Sequence, residues 1–213
     1  ALRNGFTFDD PLIVVENPLV AGEGGLRAIF TSHYWASQER HGNLYRPLTM
    51  ASYWLNYRMA GGRPWSYHLV NLLLHGAVTG LVYLVFRKLV NAPQAGAGGG
   101  MPPGEARGEP VAAIGALLFA THPIHTEAVV SVVGRAELMA ALFVLAAWRL
   151  RERAWACAAL FACGLLSKEN AVVLPGLLFV EDMLRHRVRS SWRTYLALGA
   201  TMAGFLALRA AVL

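Results

Sequence analysis

A cluster of ionisable and polar residues, His-Pro-Ile-His-Thr-Glu at positions 122–127, lies between two strongly apolar runs. Its imidazoles and the carboxylate of Glu127 could ligate a metal ion, or form hydrogen bonds with the phosphate and hydroxyl groups of a ligand. Pro123 interrupts the helix that a helical pair of histidine ligands needs. Because of this proline, hydrogen bonding to a ligand is favoured over metal binding for His122 and His125. Helix capping is the alternative that involves no ligand.

Two further pairs of charged residues could take part in chemistry. Asp9 and Asp10 follow an aromatic run and precede a proline. A carboxylate there could act as a general base that takes a proton from an acceptor hydroxyl, although Asp before Pro is also common in turns and caps. Lys168 and Glu169 could form a surface ion pair, or Lys168 could bind the phosphate of an anionic lipid.

A polar stripe is predicted on one helix. His68, Asn71 and His75 follow the spacing i, i+3 and i+7, so they share one helical face. Such a stripe is typical of a cavity wall, and a single histidine on it would also suit a hydrogen-bonded core position. The sequence leaves both interpretations open.

Arg135 and Glu137 follow the histidine cluster in the same apolar run. If the helix is continuous, Arg135 lies about 15 Å beyond His125, well below the membrane surface. Such an arginine is expected to be paired or to face a wet cavity. At about 100° per residue, Arg135 and Glu137 point to nearly opposite sides. We therefore expect that they do not both line the pocket and that one of them braces neighbouring helices.

The elements that position these residues are predicted to be membrane helices. The chain is 55% hydrophobic and 15% charged, whereas soluble domains carry about 25% charged residues. A membrane span needs about 20 apolar residues, so the shorter runs need polar flanks, tilting or a thinned bilayer. Six apolar runs are predicted as spans or parts of spans: residues 66–89, 111–121, 126–150, 154–166, 171–184 and 192–213.

The basic residues predict the orientation of the chain. The formal net charge is +6, and because the basic residues cluster beside apolar runs, membrane orientation explains them and no nucleic-acid partner is expected. If the clusters around residues 87–107, 149–153 and 185–193 are cytoplasmic, the positive-inside rule is obeyed throughout. Every unusual polar motif then faces the other side of the membrane.

This orientation predicts two regions. Residues 1–65 are expected to form an extracytoplasmic loop with interfacial helices, one of them at 48–59, that carries the acidic motif. Residues 66–213 are expected to form a membrane helix bundle, with a flexible cytoplasmic linker rich in Gly and Pro at 91–110.

A series of motifs links the chain to a known family. The series resembles the transmembrane and tetratricopeptide-repeat protein O-mannosyltransferases, of the C-type glycosyltransferases that use polyprenyl-phosphate sugars. The match extends over most of residues 5–182, and the blocks at 122–128 and 133–138 are together highly specific. The matching blocks are residues 5–10, 45–49, 55–57, 67–75, 118–129, 133–138 and 167–169.

The resemblance implies an all-α, polytopic membrane helix bundle with a large first extracytoplasmic loop. It also implies an inverting enzyme that needs no cofactor and moves mannose from a lipid-linked phosphate donor to Ser or Thr hydroxyls of an acceptor protein. The active site would be extracytoplasmic, at the plasma membrane of a bacterium or in the endoplasmic reticulum of a eukaryote. By analogy with related mannosyltransferases, Asp9 is the expected base and Asp10 its support.

The expected substrate-binding residues include cations and hydrogen-bond donors that are predicted to lie near the extracytoplasmic face of the membrane. They are Arg46, His68, Asn71, His75, His122, His125, Glu127, Arg135, Lys168 and Glu169.

Two other functions remain open at this point. An intramembrane metalloenzyme would use His122, His125 and Glu127 as ligands, and a non-catalytic membrane scaffold would need none of these residues. The family's first membrane helix and its repeat domain are not found in this sequence, so we expect the chain to be a fragment of a longer protein.

Overall fold

Every regular element that the structure describes is helical. The computed structural model describes residues 2–35, 44–91 and 108–213, and these ranges hold ten α-helices joined in places by single turns of π- or 3₁₀-helix. The α-helices are α1 (Pro18–Ala21), α2 (Gly25–Thr31), α3 (Pro47–Ala60), α4 (Pro64–Val90), α5 (Gly108–Thr121), α6 (Thr126–Val130), α7 (Arg135–Arg149), α8 (Ala154–Ser167), α9 (Val173–Leu184) and α10 (Trp192–Val212). The all-α class that the sequence predicts is confirmed. The predicted linker at 91–110 lies mostly outside the described residues, and its last three residues belong to α5.

Two helices of the described ranges, α4 and α10, are long and apolar enough to cross a membrane. A third crossing results if α5 and the segment Pro123–Val130, bent by 48° at their junction, are taken as one span. The sequence explains the limits of α4. Pro64 occupies the first turn, where its missing N–H is not needed, and Arg87 and Lys88 in the last turn complement the negative end of the helix dipole.

The prediction of one continuous span over residues 126–150 is wrong. α6 ends at Val130 and α7 begins at Arg135, with a tight turn over residues 131–134 between them. A Cβ atom on Gly134 would overlap the backbone carbonyl of Ala128, so the turn approaches α6 as closely as only glycine permits. Because Arg135 begins a new helix, the depth expected from a continuous helix does not apply to it.

The N-terminal region packs against the bundle and shares a hydrophobic core with it. Buried side chains from α1, α2 and the turn before them, such as Val20 and Ile29, join Tyr53 of α3, Tyr67 of α4 and Val132 of the turn in one cluster. The predicted helix at 48–59 is confirmed as α3. One face of α3 is buried in the protein, since residues 49, 50, 53 and 56 are all inaccessible to solvent.

A second core holds the C-terminal half together. α8 packs against both α7 and α10, and its Phe161 and Leu165 are buried with Leu178 of α9 and Leu198 of α10. Small residues permit close approach between helices in a membrane. Gly164 is one of these, because a Cβ there would lie 2.9 Å from the Cβ of Ala171.

The close packing of Gly134 can be tested by substitution. Gly134→Ala should destabilise the protein by about 1–3 kcal/mol or more, because the backbone that its Cβ meets cannot rotate away. Gly76→Ala in α4 is the matched control, since nothing lies within 4 Å of its Cβ position and alanine favours a helix. Thermal unfolding in detergent, followed by tryptophan fluorescence, measures both. Equal melting temperatures for the two variants would contradict the packing described here.

Candidate functional site

A cavity of about 600 Å³ opens where the N-terminal region meets one end of the bundle. Its polar lining comes from chain segments that are distant in sequence, because helices α3, α6, α7 and α8 all begin or end there. The sequence-predicted residues that line it are Asp9, Arg46, His125, Glu127 and Lys168. Those that do not are Asp10, His68, Asn71, His75, His122, Arg135 and Glu169.

The two adjacent aspartates have different environments. Asp10 is fully buried, and its carboxylate accepts hydrogen bonds from the backbone N–H groups of Val132 at 3.3 Å and Val133 at 2.9 Å. It also accepts from the Ser131 hydroxyl at 3.3 Å and from the Thr7 N–H at 3.1 Å. Asp10 therefore binds the N-terminal region to the turn between α6 and α7.

Asp9, in contrast, is exposed and lines the cavity. The described part of the chain provides no hydrogen bond to its carboxylate, which is therefore available to a ligand. The preceding residue, Phe8, has a φ of 52° and a side chain that is 92% exposed. A left-handed conformation is unusual for an aromatic residue, and it belongs to the turn that places Asp9 at the cavity and Asp10 in the core.

The two cations of the cavity are each held by a carboxylate. Arg46 forms a bidentate pair with Glu169, with Nε and Nη2 at 3.0 Å and 2.6 Å from its carboxylate oxygens. Lys168 pairs with Glu137 of α7. Lys168 and Glu169 thus do not form the ion pair with each other that the sequence left open, because Lys168 reaches α7 and Glu169 reaches Arg46, the residue before α3.

Glu169 and Tyr34 have shifted pKa values near this site. Partial burial raises the pKa of the Glu169 carboxyl, but the hydrogen bond and the charge of Arg46 outweigh it, so that the net pKa lies below the usual value. Burial raises the pKa of the Tyr34 phenol to about 12. Its ring lies 5.2 Å from the Arg46 guanidinium, at cation–π distance.

Arg135 lies behind the cavity wall and is completely buried. Its guanidinium donates to Oδ1 of Asn71 at 3.0 Å, to Oδ1 of Asn56 at 2.9 Å and to the backbone carbonyl of Tyr67 at 3.1 Å. It also lies 4.8 Å from the ring centre of Tyr53. Its partners among the described residues are neutral oxygens and aromatic rings. The guanidinium therefore joins α3, α4 and α7 without using a carboxylate.

The helical projection correctly separates Arg135 from Glu137. Glu137 lines the cavity and Arg135 braces the helices behind it. Glu137 is a cavity residue that the predicted substrate-binding set omits. Its position in the first turn of α7 could be inferred only by knowing that the helix restarts at Arg135.

The four histidines of the predicted set have separate roles. His68 is fully buried, and neither of its ring nitrogens has a hydrogen-bond partner among the described residues. His75 Nε2 is 3.0 Å from the carbonyl oxygen of Ala120, and the His75 ring lies 5.6 Å from that of His125. His122 Nδ1 accepts from the backbone N–H of Ile124 at 3.2 Å, which is the capping role.

The polar stripe of α4 supports the turn behind the cavity. Asn71, between the two histidines of the stripe, donates to the Ser131 carbonyl at 2.9 Å while it accepts from Arg135. Within the described ranges no three His, Cys, Asp or Glu side chains are grouped closely enough to hold a metal ion.

Comparison with known proteins identifies several relatives. Protein O-mannosyl-transferase TMTC3 of Homo sapiens is 34% identical over 194 residues, which cover 84% of the chain and 19% of that protein. Protein O-mannosyl-transferase Tmtc2 of Drosophila melanogaster is 37% identical over 204 residues, covering 86% of the chain and 20% of that protein. Protein O-mannosyl-transferase F38B6.6 of Caenorhabditis elegans is 33% identical over 193 residues, covering 87% of the chain and 26% of that protein.

The chain thus spans about a fifth to a quarter of the length of these curated relatives. No protein-family model matches it, and no solved structure does.

The contrast between the two aspartates predicts different effects on stability. Asp10→Asn should destabilise the protein by about 1–3 kcal/mol, because an amide directs N–H groups at backbone donors that then lack an acceptor. Asp9→Asn, one position away with the same change in charge, should stay within about 0.5 kcal/mol of the wild type. Chemical or thermal unfolding of the purified variants measures both effects. A loss of stability in Asp9→Asn as large as that in Asp10→Asn would contradict the assignment of Asp10 as the structural carboxylate.

Proposed function

Because this chain belongs to the TMTC family of protein O-mannosyl-transferases, we propose that its cavity is part of the active site for protein O-mannosylation. The donor is a lipid-linked mannosyl phosphate, and the acceptor is a Ser or Thr hydroxyl of a protein. The observation that carries this proposal is the exposed carboxylate of Asp9 in a cavity that is also lined by the cations of Arg46 and Lys168.

Asp9 has the features needed in a general base. Its carboxylate is accessible, and the described residues place no donor on it that would compete for its lone pairs, so it can accept the proton of an acceptor hydroxyl. The hydroxyl oxygen attacks the anomeric carbon as that proton is lost. The bond from this carbon to the phosphate oxygen breaks, and its electron pair leaves with the lipid phosphate. One such displacement inverts the anomeric configuration.

Lys168 and Arg46 are suited to the phosphate of the donor. Ammonium and guanidinium groups form charge-assisted hydrogen bonds with phosphate oxygens. Both cations hold carboxylates in the present structure, so a phosphate is expected to replace Glu137 or Glu169 as a partner. The leaving group is then stabilised where its charge develops. His125 and Glu127 line the same cavity and are the proposed hydrogen-bonding partners of the sugar.

The remaining predicted residues have supporting roles in this proposal. Asp10 positions Asp9, since its hydrogen bonds hold the N-terminal region against the turn between α6 and α7. Arg135 and Asn71 stabilise the same turn from behind. Precise placement of reactants is a large part of catalysis. His68, His75 and His122 are assigned to the packing around the cavity and not to contact with substrate.

The basic residues support an extracytoplasmic active site. They lie at helix ends distant from the cavity: the end of α4, the connection of α7 to α8 and the connection of α9 to α10. The positive-inside rule assigns these ends to the cytoplasm. The cavity and residues 1–65 then face the lumen of the endoplasmic reticulum in a eukaryote, or the outside of the plasma membrane in a bacterium. The residues concerned are Arg87, Lys88, Arg149, Arg151, Arg153, Arg185, Arg187, Arg189 and Arg193.

The role of Asp9 is tested by a transfer assay on the intact protein. Asp9→Asn should reduce mannose transfer from a polyprenyl- or dolichyl-phosphate donor by about 100-fold or more, as expected for loss of a general base. Glu16→Gln is the matched control, because Glu16 is exposed and outside the cavity. Undiminished transfer by Asp9→Asn would exclude it as the base. Bound metal in stoichiometric amount, lost on changing His122 or His125, would favour a metalloenzyme instead.

The role of Lys168 is tested by donor kinetics. Lys168→Met should raise the KM for the lipid-linked donor about tenfold, since a charge-assisted hydrogen bond contributes about 1.5–3 kcal/mol. Lys88→Met is the matched control, because it removes the same charge from the last turn of α4, away from the cavity. The Lys88 ammonium lies 4.6 Å from the Trp148 ring, and the variant should leave this KM unchanged. Initial rates at varied donor concentration give the KM of each variant. Equal KM values for Lys168→Met and the wild type would contradict phosphate binding by Lys168.

A further inference from the structure

A second polar cavity, of about 440 Å³, lies at the opposite end of α8. We refer to it as the basic cavity, because four arginines line it: Arg151, Arg153, Arg187 and Arg193. α8 has 14 residues, so about 20 Å of helix separates its two ends. The basic cavity is therefore distinct from the site of Asp9 and does not depend on the function proposed for that site.

Two of the four arginines are neutralised by the protein. Arg151 is buried and pairs with Asp182 and, at 2.6 Å, with Glu181. Arg187 pairs with Glu152 at 2.9 Å. These pairs hold the connections around the cavity in place, since they join the turn after α7 to the end of α9.

The other two arginines, Arg153 and Arg193, differ from these in their surroundings. Within the part of the chain that the structure describes, neither Arg153 nor Arg193 pairs with a carboxylate, and both side chains are exposed. Arg193 lies 5.5 Å from the centre of the Trp192 ring, at cation–π distance. The cavity thus presents two guanidinium groups that can bind an anion, and guanidinium matches a phosphate group with two parallel hydrogen bonds.

Two helices also begin at this cavity. Arg153 and Ser191 are the residues before the first turns of α8 and α10, and neither provides a side-chain cap. Neither first turn contains an acidic residue. The positive ends of both helix dipoles are therefore directed at the same region as the two guanidinium groups, which adds to its attraction for an anion.

The basic cavity lies where a membrane surface is expected. Among the described helices, α10 is one that is long and apolar enough to cross a membrane, so its first turn is expected at the boundary between lipid and water. The rings of Trp155 and Trp192, beside the cavity, are 74% and 56% exposed. Exposed tryptophans at helix ends are typical of this boundary.

We propose that the basic cavity binds a phosphate group, supplied at this membrane surface by the headgroup of an anionic phospholipid. Arg153 and Arg193 hold the phosphate, and Trp155 and Trp192 contact the adjoining part of the lipid. Inorganic phosphate shares the same chemistry and is the alternative source.

The test uses the intact protein in detergent micelles and measures binding of three probes. These are dioctanoyl phosphatidic acid, dioctanoyl phosphatidylcholine and inorganic phosphate, each titrated while native mass spectrometry or thermal stability is recorded. The variant Arg153→Gln with Arg193→Gln removes both unpaired cations. The matched control, Arg149→Gln with Arg189→Gln, removes the same charge from the same end of the bundle but from outside the cavity.

We expect saturable binding of phosphatidic acid, weakened at least tenfold in the cavity variant and less than twofold in the control. Phosphatidylcholine should bind far more weakly, because its choline cation offsets the phosphate. The same pattern with inorganic phosphate, at similar affinity, would support the phosphate site and assign its ligand to solution. Equal weakening in both double variants would overturn the proposal, since it would indicate general charge attraction. Absence of saturable binding of either phosphate probe by the wild type would also overturn it.

Discussion

The carboxylate of Asp10 connects parts of the chain that are 121 to 123 residues apart. A helix interrupted inside a low-dielectric bundle leaves backbone N–H groups without acceptors, and each such group is costly when it is buried. Asp10 supplies the acceptors for Val132 and Val133. The interruption is tolerated because the N-terminal region packs there, and that region is positioned by the same contact. The location of Asp9 at the cavity is a consequence of this interaction.

On the other side of the turn over residues 131–134, the buried guanidinium of Arg135 also needs partners that compensate for its burial. A buried cation must be compensated, and the usual partner would be a carboxylate. Here two asparagine side chains, backbone and hydroxyl oxygens and two aromatic rings do so. This leaves the carboxylates of Asp9, Glu127 and Glu137 at the cavity, where they can interact with a ligand. The buried Arg135 guanidinium and the carboxylates of the cavity are thus kept apart by the wall that Arg135 stabilises.

The two cavities differ in how their charges are balanced. In the Asp9 cavity Arg46 and Lys168 are paired, and among the described residues no donor contacts the exposed carboxylate of Asp9. In the basic cavity two carboxylate-bound arginines support two unpaired ones. A membrane protein exposes different chemistry at its two surfaces, because its polar groups are restricted to the ends of its helices. The first arrangement suits the acid–base chemistry proposed for Asp9, and the second suits the proposed retention of an anion.

The sequence by itself determined the helical class and, within two residues, the limits of α4, and it named five of the residues that line the Asp9 cavity. Apolar run length, prolines and terminal basic residues act locally, so they can be identified without a structure. It also indicated that Arg135 and Glu137 diverge, because helical periodicity is a local property. Local sequence could not distinguish the environments of Asp9 and Asp10, which have the same side chain and adjacent positions, and only the resemblance to related mannosyltransferases made Asp9 the expected base. Nor could it detect the interruption before Arg135, since residues 126–150 are apolar enough to be interpreted as one span. Tertiary structure decided both, because the acceptors for Val132 and Val133 come from a residue more than 120 positions away, and no local pattern encodes that contact.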